Sequence, residues 1–204
     1  MALNPSASKP RLTVFPLTST DMLEIITSLL LPLAGIVADG GGGAAAFAVS
    51  SPDMADGKVA RAQFANIMGG PGDNISPQIE WRGAPASAKS FVVTMYDPDA
   101  PTGSGWWHWV VANIPSTANA LARGAGTNPA SLPAGAVQVN TDMGVPGYGG
   151  PLPPPGQTHR YVITVTALDV PRLDLPPTAT PALLAFMMLG HTVGKATFTA
   201  QGSR

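Results

Sequence analysis

The chain lacks cysteine and is poor in charged residues. With no cysteine among its 204 residues, a disulfide framework, a thiolate nucleophile and thiolate metal ligands are excluded. Charged residues make up 11% of the chain, well below the roughly 25% of ordinary proteins. The net charge is -1 and no basic cluster occurs, so the sequence offers no electrostatic surface for nucleic acid or an anionic membrane. We exclude both as main partners.

The sequence motifs of common enzyme classes are also missing. We find no G-x-S-x-G, no phosphate-binding loop motif, no H-E-x-x-H, and no G-x-G-x-x-G between a strand and a helix. The three histidines, His108, His159 and His191, stand in no compact metal-ligand spacing. We predict neither a resident cofactor nor a native metal ion, and the balance of these features is against an enzyme.

Glycine and proline, in contrast, are abundant, with 23 and 22 residues. They separate short runs rich in Val, Ile, Thr and aromatic residues, a pattern typical of strands joined by turns. In residues 180–194, Thr180 before Pro181 is a suitable N-cap and Gly190 a suitable end for one helix. The sequence predicts a mostly β fold of antiparallel strands with one or two peripheral helices. The clearest strands cover residues 89–97, 106–115, 159–170 and 195–201.

Residues 1–44 differ in texture from the rest of the chain. Their apolar run, 23–38, is shorter than the about 20 residues that span a bilayer, so we predict no transmembrane span. Basic residues upstream and the A-x-A pattern at 46–48 are typical of a secretory signal, whereas Asp21 and Glu24 argue against one. A signal segment and a helix packed on the body both stay open, with a cytoplasmic location slightly favoured over export.

The stretch "MYDPDAPTGSGWWHWVV", residues 95–111, concentrates polar and aromatic groups between two predicted strands. Residues two apart in a strand share a face, which predicts Trp106 and His108 on one face and Trp107 and Trp109 on the other. The stretch is therefore either the edge of a site or a part of the core in which His108 is merely hydrogen-bonded to the sheet.

A Gly/Pro-rich loop at 144–157 directly precedes a second histidine, His159. Histidines, backbone N–H groups in Gly-rich turns, and rigid walls of proline and aromatics are the components of a small anion pocket. A neighbouring aspartate such as Asp97 favours the protonated imidazole. We expect affinity for an anion to rise as pH falls into the range where imidazoles take up a proton.

Four sequence blocks follow one another along the chain: "NISPQIEW" (74–81), "SFVVTMYDPDAPTGSGWWHWVVANIP" (90–115), "GQTHRYVITVTALDV" (156–170) and "GHTVGKATFTAQ" (190–201). In this order they resemble the phosphatidylethanolamine-binding protein family, which includes the Raf kinase inhibitor proteins. The resemblance covers about residues 45 to 202 and is strongest to the bacterial-type branch. It implies a domain at 45–204, following the extension 1–44, with two antiparallel sheets, Greek-key connections and a small pocket for phosphate, phosphorylethanolamine or a similar head group.

The resemblance also implies the residues that bind the ligand. Arg160 is expected to be structural, because it lies on the strand face opposite His159, and Leu152 to make the pocket mouth more apolar than in bacterial relatives. The implied set, taken from the D-P-D-A-P, W-x-H and H-R-Y motifs and the loop prolines, is Asp97, Asp99, His108, His159, Tyr161, Pro153 and Pro154.

Three functions remain open from the sequence. The leading hypothesis is a binding protein for a small anionic or phospho-ligand. The second is an inhibitor or scaffold for a kinase or a peptidase, as some relatives are, although the C-terminal helix of the mammalian members is lacking. The third is an enzyme that uses the His/Asp pocket on a small apolar metabolite, by isomerisation, cyclisation or hydrolysis. A homodimer is compatible with each.

Overall fold

The computed structural model describes residues 45–204, and the predicted alternatives for residues 1–44 lie outside them. Strands dominate the described part, with one α-helix and three short 3-10 turns at Pro52–Met54, Arg61–Gln63 and Pro129–Ser131. The strands and the helix are β1 (Ala48–Ser50), β2 (Ile79–Arg82), β3 (Ser90–Asp97), β4 (Trp106–Pro115), β5 (Ala120–Leu121), β6 (Val137–Gln138), β7 (Thr158–Leu168), α1 (Pro181–Met187) and β8 (Thr192–Ser203).

The strands form two antiparallel sheets. The smaller sheet has the order β1-β2-β5, and the larger has the order β6-β4-β3-β7-β8. In the larger sheet β3, β4 and β6 lie side by side in the order in which they occur along the chain. The next strand of this sheet, β7, returns to lie beside β3. This is the Greek-key arrangement, so the predicted fold class, two antiparallel sheets with Greek-key connections and a peripheral helix, is confirmed.

The core has two parts, one on each face of the large sheet. One cluster joins the large sheet to the small one and includes Trp81, Phe91 and Trp109. The other joins the opposite face to α1 and includes Val110 and Leu184. Because both faces are covered, β3 and β4 are buried along most of their length and read as nearly continuous apolar runs.

A β-bulge in β4 overturns one prediction about the tryptophans. Met95 pairs with Trp109 and Tyr96 pairs with Trp107, which leaves His108 as the extra residue without a partner on β3. The extra residue breaks the alternation of side chains. Trp107 packs on the α1 side of the sheet and Trp109 in the cluster between the sheets, so these two do not share a face. Strict alternation was the wrong assumption.

The helix α1 begins where the sequence predicts. The Thr180 hydroxyl accepts a hydrogen bond from the Leu183 N–H, and Pro181 occupies the first turn, where no N–H is needed. The helix ends before Gly190, whose φ of +80° turns the chain into β8. Within residues 45–204, no helix is both long and apolar enough to cross a membrane.

Candidate functional site

A cavity of about 440 Å³ opens at one end of the large sheet. Its base lies where β3 ends, where β4 begins and where β7 begins. Asp97, His108 and His159 come from these three strands and meet there. Its walls are mostly apolar and come chiefly from three segments outside the sheet, 65–68, 100–102 and 141–154. A polar base under apolar walls is the usual form of a small-molecule site.

Asp97 is the charged residue at the base, and its side chain is almost fully buried. Its Oδ1 accepts a hydrogen bond from the backbone N–H of Asp99 at 2.8 Å. Burial raises the pKa of Asp97, but His108, His159 and that N–H together outweigh it, so the pKa lies below its usual value. The base therefore holds a carboxylate that stays ionised at neutral pH.

His159 is held directly by this carboxylate. Its Nδ1 donates to Oδ2 of Asp97 at 2.8 Å, and its Nε2 lies 3.1 Å from Oε1 of Gln157. The ring is 4% exposed. A carboxylate on one ring nitrogen fixes the tautomer and the orientation of the imidazole.

His108 has one nitrogen bonded and the other unused. Its Nδ1 donates to the carbonyl of Gly149 at 2.7 Å, while the Gly149 N–H donates back to the carbonyl of His108 at 2.9 Å. Its Nε2 is buried, has no hydrogen-bond partner, and lies 4.0 Å from Oδ2 of Asp97. A buried polar atom without a partner is costly, so Nε2 is the atom of the base most in need of a ligand.

Tyr161 lies behind the base. Its ring is fully buried and stands edge-on to that of His108, with centroids 5.3 Å apart. Burial raises the pKa of Tyr161, and the charges of Asp97 and Asp99 raise it further, so its hydroxyl stays protonated. Tyr161 does not line the cavity, and it orients His108 by packing.

Asp99 faces away from the cavity and binds Arg160. Its carboxylate accepts from the Arg160 guanidinium at 2.7 Å and from the Arg160 backbone N–H at 2.8 Å. These bonds lower the pKa of Asp99 to about 2. Arg160 is structural in this geometry, as expected for the opposite strand face.

The Gly-rich wall is tied to the rest of the molecule by backbone contacts. Asn74, at a φ of +56°, accepts from the Gly150 N–H through Oδ1 at 2.7 Å. The Ala65 N–H donates to the carbonyl of Pro151 at 3.0 Å. A Cβ on Gly150 would lie 2.5 Å from backbone atoms of Gln63 and Ala65, so only glycine permits this close approach. These contacts place Leu152 and Pro154 on the wall.

Among the described residues that line the cavity there is no lysine and no arginine, and Asp97 is the only one with a fixed charge. Among residues 45–204, no group of three or more His, Asp or Glu side chains converges closely enough to hold a metal ion. Of the described residues at the base, His108 and His159 are those that can carry a positive charge, when they are protonated.

The structure brings together four of the seven residues that the sequence assigned to the pocket, namely Asp97, His108, His159 and Pro154. Asp99, Pro153 and Tyr161 lie outside the cavity wall, because they face solvent or the core.

The sequence reasoning missed the segments 65–68 and 141–143, which supply part of the wall. Met187 and Met188 are partly buried and pack against the core cluster beside α1. Met68 and Met143 are instead exposed at the cavity mouth. The one available signal was the position of each beside glycine, in "IMGG" and "TDMGVPG".

Comparison with known proteins gives a consistent result. Residues 50–203 match the family model described as phosphatidylethanolamine-binding protein. The chain is similar to the UPF0098 protein YbhB of Escherichia coli, with 49% identity over 75% of this chain and 98% of that protein. It is similar in structure to E. coli YbcL, described as a new member of the mammalian PEBP family, with a TM-score of 0.74, 39% identity, and coverage of 78% and 99% of the two chains. CT736 of Chlamydia trachomatis, a putative homologue in the same family, gives a TM-score of 0.67 and 29% identity, with coverage of 78% and 98%.

Proposed function

Because the chain belongs to the phosphatidylethanolamine-binding protein family, we propose that it is a binding protein whose cavity takes a small ligand by an anionic head group at its base. Asp97, His108 and His159 form the head-group site, and a phosphate-type or carboxylate group is the class of head group they suit. The apolar walls exclude water and strengthen hydrogen bonds made at the base.

The observation that carries this proposal is the unpartnered Nε2 of His108. This atom is buried, belongs to a residue that lines the cavity, and lies 4.0 Å from Oδ2 of Asp97, too far for a hydrogen bond. When protonated, it can donate to an anion oxygen, and the ligand then supplies the hydrogen bond that the protein lacks.

The charge of the base makes this binding depend on pH. With neutral imidazoles the wall carries the single negative charge of Asp97, which repels an anion. With both His108 and His159 protonated the net charge of the base becomes positive. An anion is therefore expected to bind more tightly to the form in which both imidazoles are protonated.

The proposal is tested by NMR titration with inorganic phosphate and phosphorylethanolamine between pH 7.5 and 5.5. His108→Ala is expected to weaken binding at least about tenfold, a loss of about 1.4 kcal/mol. His191→Ala is the matched control, since His191 is half-buried and bound to Asp169 at 3.0 Å outside the cavity. Undiminished phosphate affinity in His108→Ala contradicts the proposal.

A role on a protein partner, such as a kinase or a peptidase, is a further proposal. Phe186 and Leu189, at the end of α1, expose 68% and 71% of their surface and form an apolar patch. Stoichiometric capture of one partner by the wild-type protein, lost in Phe186→Ser, supports it. Capture of the same partner by both proteins, or of none, counts against it.

An enzymatic role is the alternative, and the Asp97–His159 contact of 2.8 Å favours it. A histidine oriented by a carboxylate is the usual form of a general base, and the apolar wall suits a small apolar substrate. The test is a turnover assay on candidate isomerisation, cyclisation and hydrolysis substrates with Asp97→Asn beside the wild type. Equal rates in the two proteins indicate a contaminant.

A further inference from the structure

Exposed apolar side chains are concentrated at the mouth of the cavity. Six large apolar side chains in residues 45–204 are strongly exposed, and four of them line this cavity. Single exposed apolar residues are common, but a group of them around a concave site marks a surface that binds something apolar. We name these four the apolar rim: Ile67, Met68, Met143 and Val145, with exposed fractions of 48%, 75%, 49% and 58%.

The backbone at Met68 adds an independent observation. Met68 has a φ of +49°, in the left-handed region, and the other two non-glycine residues of positive φ in the described part are asparagines. Asparagine tolerates this region, whereas methionine is strained there. Strain of this kind is concentrated at functional sites. Here it holds a flexible thioether side chain, well suited to irregular apolar ligands, over the cavity mouth.

The two ends of the cavity differ in polarity. The base holds Asp97, His108 and His159, while the apolar rim and Leu152 surround the outer part. A volume of about 440 Å³ falls in the range of roughly 300–1,000 Å³ of sites that enclose a whole small molecule. A bare phosphate at the base would leave the outer, apolar part in contact with water.

We infer that the outer part of the cavity is an apolar subsite, and that the ligand is a small organic anion carrying a compact apolar group. Free phosphate and phosphorylethanolamine, whose amine would face an apolar wall, fill only the base. This inference rests on the proposed function for the base. It adds that the part of the ligand beyond the anionic head group is apolar.

The test compares four probes by calorimetry with the full chain at pH 6: inorganic phosphate, phosphorylethanolamine, hexyl phosphate and hexanol. Hexyl phosphate is expected to bind at least about tenfold more tightly than phosphate, because its chain is buried on the apolar rim. Its binding is also expected to show a more negative heat-capacity change than that of phosphate, the signature of buried apolar surface.

Variants of the rim locate the effect. Met68→Ser with Met143→Ser is expected to reduce the affinity ratio of hexyl phosphate to phosphate at least threefold. The matched control, Phe186→Ser with Leu189→Ser, removes two strongly exposed apolar side chains away from the cavity and is expected to keep the ratio. Met68→Gly is a second rim variant that accepts the positive φ without strain and so keeps the fold.

The outcomes separate this inference from the proposed function. Equal affinity for phosphate and hexyl phosphate overturns the apolar subsite and leaves the anion site standing. Equal affinity for hexyl phosphate and hexanol overturns the anionic head group. Binding to phosphatidylethanolamine vesicles without binding to hexyl phosphate overturns a small ligand altogether, and a ratio that falls equally in the control pair overturns the assignment to the rim.

Discussion

Two aspartates of the same turn bind two adjacent residues of β7, and the two pairs have opposite environments. Asp97 holds His159 at 2.8 Å, with both side chains about 95% buried. Asp99 holds Arg160 at 2.7 Å, with 29% and 58% of the side chains exposed. The distances are alike, but the first pair forms the base of a cavity and the second lies in solvent.

Strand geometry explains the difference. Successive residues of β7 point to opposite faces of the sheet, so His159 faces the cavity and Arg160 faces out. The turn after β3 places its two aspartates to match. A short ion pair is therefore no sign of a site in itself, and burial decides whether the pair supports binding or only ties two strands together.

The largest expected effect comes from removing each carboxylate in turn. Asp97→Ala is expected to lower the free energy of unfolding by about 3 kcal/mol, because it leaves buried donors on His159 and Asp99 without a partner. Asp99→Ala is expected to cost far less, because water replaces the carboxylate. Urea unfolding at pH 7 measures the free energy of unfolding of both variants. Equal losses would show that burial does not distinguish the Asp97 pair from the Asp99 pair.

Substitution of a glycine is likewise expected to destabilise the protein more in the buried cavity wall than in the exposed turn. Gly150→Ala in the cavity wall places a Cβ against the backbone of Gln63 and Ala65, and about 2 kcal/mol of stability is expected to be lost. Gly103→Ala, in the open turn after Asp99, meets no atom within 4 Å and is strained only by its φ of +82°, at about 1 kcal/mol. Thermal unfolding of the two variants compares them. A smaller loss in Gly150→Ala means that the wall can move.

Replacement of the basic partners of the two aspartates, His159 and Arg160, sharpens the comparison for binding. His159→Gln is expected to weaken phosphate binding at least about fivefold, because glutamine cannot carry the positive charge that a protonated imidazole brings to the base. Arg160→Gln is expected to leave phosphate affinity unchanged, since Arg160 lies outside the cavity. NMR titration at pH 6 measures both constants. A larger loss in Arg160→Gln would place the anion on the outer face.

The smallest effects are those of acid and salt on the exposed pair. The folded pKa of Asp99 is about 2, below the ordinary 3.8, so the pair stabilises the fold above pH 4 and the gain is lost as pH falls toward 2. Salt at 1 M is expected to reduce the same gain at pH 7, because the pair is exposed. Urea unfolding of the wild type and of Asp99→Asn at pH 7, at pH 2, and at pH 7 with 1 M salt measures this gain as a difference in the free energy of unfolding. If the difference in the free energy of unfolding does not change with salt, the Asp99–Arg160 pair is not screened as an exposed pair should be.

Much of the fold was predictable from local patterns. The predicted strands at 89–97, 106–115 and 159–170 lie within two residues of β3, β4 and β7, and the cap at Thr180 begins α1. The segment 180–194, predicted to contain one helix, holds α1 and then the start of β8 at Thr192. These features depend on neighbouring residues, whose propensities and turn preferences act within a few positions.

The candidate site was predictable only in part. Motifs pointed to Asp97, His108 and His159, which do meet at the base. They also pointed to Asp99, which binds Arg160 on the outside. The sequence of the turn does not show whether Asp97 or Asp99 faces inward, because this depends on the register of β3 with β7.

By itself, the sequence determined the fold class, the order of the main strands, the family and the identity of Asp97, His108 and His159 as candidate site residues. Each of these follows from a local pattern or a contiguous motif. The tertiary structure alone decided which aspartate is buried, that the bulge turns His108 and Trp109 to the same side, and that Met68 and Met143 meet at one mouth. The physical reason is distance along the chain. Segments more than 70 residues apart become neighbours only when the two sheets bury their common core, and no local preference of either segment encodes that contact.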